Sequence, residues 1–187
     1  MNNTNKKYEL IEAANNVYQN AKVYRIKALR DFGTIRKGDI GGWVETEHNL
    51  SHEGNCWIHD NAYVINKARV YEDALVCSDA WVFDNAEVYG HAIISGEANI
   101  YHHAKVYGNA KVYGYGRVYN SAQVFGDAII HGNARIKGTM KARKPVTVID
   151  NSDVIITMAD NKIHIYQSTV YTEEELPDKY RGVLGLK

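Results

Sequence analysis

Histidine is the first side chain here that could do chemistry. His91, His102, His103 and His131 lie in the central part of the 187-residue chain, and a neutral imidazole is suited to taking a proton from a hydroxyl. His102 and His103 are adjacent and stand where neighbouring segments carry pairs such as Gly108-Asn109, so they depart most from their surroundings. A solvated turn would accommodate them as well. A second constellation, Tyr101, Arg117, Tyr119 and Arg135, combines aromatic faces with guanidinium groups, the chemistry that holds an anionic, ring-bearing ligand. Tyr is also a good strand residue, and stacked rows of it support one another across a sheet. Cys56 and Cys77 make no disulfide framework, and without a CxxC or a neighbouring Cys/His set they make no zinc site. Ser-His-Asp, phosphate-loop and dinucleotide patterns are absent, so hydrolase and nucleotide-triphosphatase readings have no support.

The elements that must position these groups follow from a period of six. A small residue recurs at every sixth position from Cys56 through Ala62, Ala68 and Ala74 to Ala134. Two residues after each stands Val or Ile, from Ile58 and Val64 to Ile136. A spacing of two puts both side chains on one face of an extended segment, and β-branching favours strand over helix. Gly90, Gly96, Gly108, Gly114, Gly126, Gly132 and Gly138 follow such strands and allow the chain to turn a corner every hexad. Each inward Val or Ile contributes about 1.5 to 3 kcal/mol when buried, so these columns are a core.

The unbroken columns resemble those of hexapeptide-repeat proteins, and the three hexads per coil which that resemblance implies would sort the outward residues into three faces. The first carries Trp57, Leu75, Ile93, Lys111 and Ile129 with His59, Cys77, Ser95, Tyr113 and His131. It is apolar for a solvent-facing surface, and Trp57, Leu75, Ile93, Tyr113 and Ile129 are the expected self-association residues. Coverage by a terminal segment, or a foreign partner, would serve the same face. The second carries Tyr63, Trp81, Asn99, Arg117 and Arg135 with Ile65, Phe83, Tyr101, Tyr119 and Lys137, aromatic at one end and basic at the other. The third pairs Arg69, Glu87, Lys105 and Gln123 with Tyr71, Tyr89, Tyr107 and Phe125. His59 and His131 share a face but lie four coils apart, about 19 Å at the spacing of neighbouring strands, too far to share a metal.

Composition sets the frame. Lys+Arg 22 balances Asp+Glu 22, which removes the basic footprint of a general nucleic-acid binder. With 45% hydrophobic and 24% charged residues, the chain has core material and no apolar run long enough to span a bilayer. The polar start, Met1 to Lys7, lacks the apolar stretch of a secretory signal, so a cytoplasmic location is expected.

The unbroken register over residues 56–139 resembles that of hexapeptide-repeat proteins. The resemblance implies an all-β solenoid: a left-handed parallel β-helix, a triangular prism with three hexads per coil, commonly assembled as a homotrimer. The stretches Val23–Leu29 and Gly38–Glu45, followed by Asn49–Asn55, resemble the entry segment of uncharacterised hexapeptide-repeat proteins of phages, prophages and bacteria. Many proteins of this kind are acyltransferases that use a histidine base and acyl-coenzyme A, which here implies His102 or His103. No long loop interrupts the hexads to shape an acceptor pocket. The leading expectation is therefore a non-enzymatic binding or scaffold protein with no cofactor, encoded by a phage and capturing a host protein or small anionic ligand against host defence. The alternative is an acyl-coenzyme A-dependent acyltransferase, and a third reading is a structural virion component.

The ends differ from the prism. Residues 1–55 are expected as an N-terminal cap and entry segment, with a short helix within 4–20 capped by Thr4 or Asn5, a strand over 22–29, and turns at Asp31-Phe32-Gly33 and Lys37-Gly38-Asp39. Residues 140–187 are expected as a C-terminal cap with strands at 146–149, 154–158 and 163–167, the last two a hairpin, and a short helix marked by Thr172 and Glu175. Both caps are thus expected to be small α/β units that cover the open strand edges.

Overall fold

The computed structural model describes residues 6–12, 17–18, 21–138, 141–142, 155–159, 162–165 and 169–171. The hexads fold into a parallel β-solenoid. From Trp57–Ile58 to Gln123–Val124 each strand is two residues long and pairs in parallel with the strand eighteen residues further on, as in Trp57↔Leu75, Trp81↔Asn99 and Glu87↔Lys105. Two of the faces are five-stranded sheets, and the third belongs to an eleven-stranded sheet. They are named below by their first outward residues: the Trp57, Tyr63 and Arg69 faces. The inward columns from Ala62 and Val64 to Ala128 and Ile130 are fully buried along almost their whole length. The period of six is therefore a core in the literal sense.

Corners fall at the expected positions, and several are made without glycine. Asp60, Asn66, Glu72, Ser78, Asp84, His102 and Asn120 all adopt positive φ, which costs about 1–2 kcal/mol for a residue with a Cβ. Four of these side chains offset the strain by accepting the backbone N–H one coil on. Asp60 Oδ2 accepts from Ser78 N at 3.0 Å, Asn66 Oδ1 from Asp84 N at 3.2 Å, Glu72 Oε2 from Gly90 N at 2.8 Å, and Asp84 Oδ2 from His102 N at 3.1 Å. At Gly90 a Cβ would come within 2.7 Å of Gly108 N, so there the close approach of coils requires glycine.

The N-terminal segment is a strand where a helix was expected. Tyr8–Ile11 pairs antiparallel with Tyr24–Ala28, which pairs antiparallel with Ile40–Val44, and that strand joins the Tyr63 face in parallel through Trp43↔Tyr63. The reason lies in the period: Tyr8 is buried and Leu10 packs on the core, a spacing of two that suits a strand. The partner edge of Tyr24–Ala28 supplies hydrogen bonds a helix would have left unused. Among the described residues the helical element here is one 3-10 turn, Glu47–Asn49. The expected turns at 31–33 and 37–39 are present. Lys7 plugs the open end of the prism, its Nζ donating to Cys56 O at 2.9 Å and to Glu53 O and Gly54 O at 3.4 Å. Burial holds its basicity below the ordinary lysine range.

At the other end the solenoid continues into Lys141–Ala142, paired with Gln123–Val124. Arg135–Gly138 pairs in parallel with Ile155–Ala159, which forms the expected hairpin with Lys162–Ile165, followed by Thr169–Tyr171. The strand expected over 146–149 and the helix expected near Thr172 and Glu175 lie outside the described residues. Among the described residues no helix is long and apolar enough to cross a membrane.

Candidate functional site

The Tyr63 face brings Tyr101, Arg117, Tyr119 and Arg135 together. Because neighbouring coils are in register, residues eighteen apart stand one rung above another, with Asn99↔Arg117 and Arg117↔Arg135 as Cα partners. Phe83, Tyr101 and Tyr119 form one continuous ring stack, with centroids 4.9 Å apart at both steps and planes within 1° of parallel. Burial, with Tyr119 second, raises the Tyr101 phenol pKa, while the positive charges of Arg117 and Arg135 act on it in the opposite sense. Phe83, Asn99, Tyr101 and Arg117 line an open recess of about 210 Å³. Phe83 and Asn99 were not among the expected ligand residues, although their position one rung below Tyr101 and Arg117 follows from the coil length.

His102 borders the same stack at its corner. Its ring meets Tyr101 edge-on at 4.8 Å and lies 6.5 Å from Tyr119. Asn120 Oδ1 stands 2.8 Å from Nδ1, within hydrogen-bond reach. Asp84 Oδ2 lies 3.8 Å from Nε2, placed to steady a positive imidazolium once formed. Asp84 and Asn120 escaped the sequence reading, yet each is eighteen residues from His102, so the coil period was the signal that could have found them. His103 is exposed like His102, and its backbone N–H donates to Asn120 O at 2.8 Å. His91 pairs loosely with Asp73 at 3.7 Å, and His131 stacks on Tyr113 at 5.2 Å. The four candidate histidines do not converge. Among the described residues no group of three His, Cys, Asp or Glu could hold a metal.

On the Trp57 face the structure removes one expected self-association residue. Trp57 is buried, packed edge-on by Phe32 at 5.4 Å and by Tyr8 at 6.3 Å, because the N-terminal segment closes over the first coil and takes the largest apolar side chain with it. Leu75, Ile93 and Ile129 remain partly exposed, and Tyr113 is 39% exposed. Cys56 is sealed beside Lys7, with Nζ to Sγ 3.2 Å, and burial pushes its thiol up; the same cause raises Cys77. Neither is poised as a nucleophile.

Short parallel strands in register, an Ala/Val core and corners every hexad define a hexapeptide-repeat β-solenoid protein. No known family model matches the chain. A stretch of 51 residues, 27% of the chain, is 41% identical to a protein described as the uncharacterized acetyltransferase YdcK of Escherichia coli strain K12, and it spans 16% of that relative's length.

Proposed function

We propose that this chain is a binding solenoid whose Tyr63 face captures a small anionic, ring-bearing ligand without turning it over. The observation that carries the reading is the Phe83, Tyr101 and Tyr119 stack with Arg117 and Arg135 on adjoining rungs. The rings offer π surface to a planar group, and the guanidinium groups offer charge-assisted hydrogen bonds to a phosphate or carboxylate. The setting we attach to it is a phage-encoded factor that withholds a signalling ligand or a protein from the host's defence. Homotrimer formation through Leu75, Ile93, Tyr113 and Ile129 belongs to the same proposal.

Isothermal titration with a panel of nucleotides and coenzyme A tests the reading. One ligand should bind, and Arg117→Ala with Arg135→Ala should weaken it at least tenfold while leaving the melting temperature in place. Binding that is indifferent to both arginines would sink it.

A second reading, an acyl-coenzyme A-dependent transferase, is favoured by the His102 geometry and by the stretch shared with YdcK. In it, His102 Nε2 takes the proton of an acceptor hydroxyl or amine, Asn120 fixes the ring through Nδ1, and Asp84 steadies the imidazolium. Free thiol release from acetyl-coenzyme A would then disappear in His102→Ala. Transfer that survives loss of both His102 and His103 removes this mechanism.

A further inference from the structure

The Tyr63 face changes chemistry at one rung. Trp43, Tyr63 and Trp81 stack in order with centroids 5.8 and 4.1 Å apart, and the next positions of that column are Asn99 and Arg117. Asn99 is short, and its amide turns back to donate to Glu97 O at 2.7 Å. Where a fourth ring would lie there is a recess of about 380 Å³ lined by Asp79, Trp81, Glu97 and Asn99. At Asn99 it adjoins the smaller recess walled by Phe83, Tyr101 and Arg117. Rings, two exposed carboxylates and Arg117 therefore line two recesses that share Asn99, with Arg135 one rung beyond Arg117.

We infer that these recesses take a guanine nucleotide, with the base at the Asn99 rung over Trp81 and the phosphates at Arg117 and Arg135. The inference rests on the ligand-binding reading above and names its ligand class. A planar base continues the ring column at the point where the chain's own rings stop. The Asp79 and Glu97 carboxylates are acceptors only. They match the guanine edge, where a ring N–H and an exocyclic amino group stand side by side as donors. The corresponding ring nitrogen of adenine is an acceptor and would face a carboxylate lone pair to lone pair. Rungs are about 4.8 Å apart, so Arg117 and Arg135 lie roughly 5 and 10 Å beyond the base, the reach of a 5′-diphosphate.

The test is calorimetric titration of the full chain with guanosine, inosine and adenosine diphosphates at low salt. The guanosine nucleotide should bind at least tenfold more tightly than the adenosine one, with inosine between them because it lacks the exocyclic amine. An Asp79→Asn, Glu97→Gln variant should weaken guanosine diphosphate about tenfold and bind adenosine diphosphate no more weakly than the parent, because the amides remove the lone-pair clash; both side chains are exposed, and an unaltered melting temperature confirms that folding is intact. Arg117→Ala should weaken all three. Equal affinity for guanosine and adenosine diphosphates overturns the guanine assignment, and if Arg117→Ala still weakens both, the anionic-ligand reading stands. Binding of coenzyme A with no nucleoside diphosphate bound overturns the guanine assignment in the same way. A guanosine preference untouched by the Asp79 and Glu97 changes overturns the role given to those carboxylates, and with it the inference.

Discussion

One imidazole, that of His52, ties the seating of the N-terminal strand to pH. Its Nδ1 accepts the Lys7 N–H at 3.2 Å, and its ring stacks on Tyr8 at 4.3 Å. Nε2 is sealed from solvent, and Glu47 Oε2 at 3.9 Å is too distant for a hydrogen bond. Burial holds the His52 pKa below the ordinary imidazole value, with Lys6 and Lys7 acting in the same sense and Glu47 against it. A depressed folded-state pKa means that the unfolded chain binds the proton more readily. Stability is therefore full above about pH 6.5 and falls as pH drops through the folded value. The melting temperature should decline from pH 7 to pH 5, and His52→Phe should flatten that slope without abolishing it, because burial lowers His59 in the same direction. A His52→Phe profile identical to the parent would refute the assignment. This ring was invisible as a functional feature in the sequence, since the partner backbone lies 45 residues away.

At the scale of the element, the strand is too short to be stable by itself and depends on its inward pair. Val106 is fully buried between Val88 and Val124 in parallel register. Val106→Asp would place an unpaired charge in the prism and should cost at least about 3–5 kcal/mol. Lys105, one residue earlier, faces outward and pairs with Glu87 at 3.1 Å while 41% exposed, so Lys105→Ala should change stability by less than about 1 kcal/mol. Paired urea unfolding curves check both, and equal midpoints would show that the inward and outward positions had been exchanged. The hexads were legible because period two within the strand and six between strands leave no other register that buries every Val. The N-terminal strand was not, because Tyr8-Glu9-Leu10-Ile11 is compatible with either a helical or an extended reading until the edge of Tyr24–Ala28 is present to pair with it.

For the whole molecule, what matters is which faces are left to meet something else. The N-terminal segment covers Trp57 and the first coil, so the trimer proposal rests on the stretch from Leu75 to Ile129. If that stretch joins three copies, sedimentation equilibrium should give a trimer mass. Ile93→Asp with Tyr113→Asp should then yield a folded monomer with an unchanged far-ultraviolet spectrum. A parent chain that sediments as a monomer would end the trimer proposal while leaving the ligand face untouched.

The sequence alone determined the repeat, the inward columns and the corner position of His102, because each follows from local periodicity and from the restriction on positive φ; the three faces came from the family resemblance, which set three hexads to a coil. The rung-by-rung grouping of Tyr101, Arg117, Tyr119 and Arg135 followed too, once a coil was taken as eighteen residues. The coil period also carried the places of Asp84, Asn120 and Asn99 beside their rung neighbours, whereas only the tertiary structure decided how the ends close and that Trp57 is interior. Those outcomes depend on contacts between chain segments that no local pattern encodes: an edge seeking its hydrogen bonds, and an aromatic side chain finding a cover.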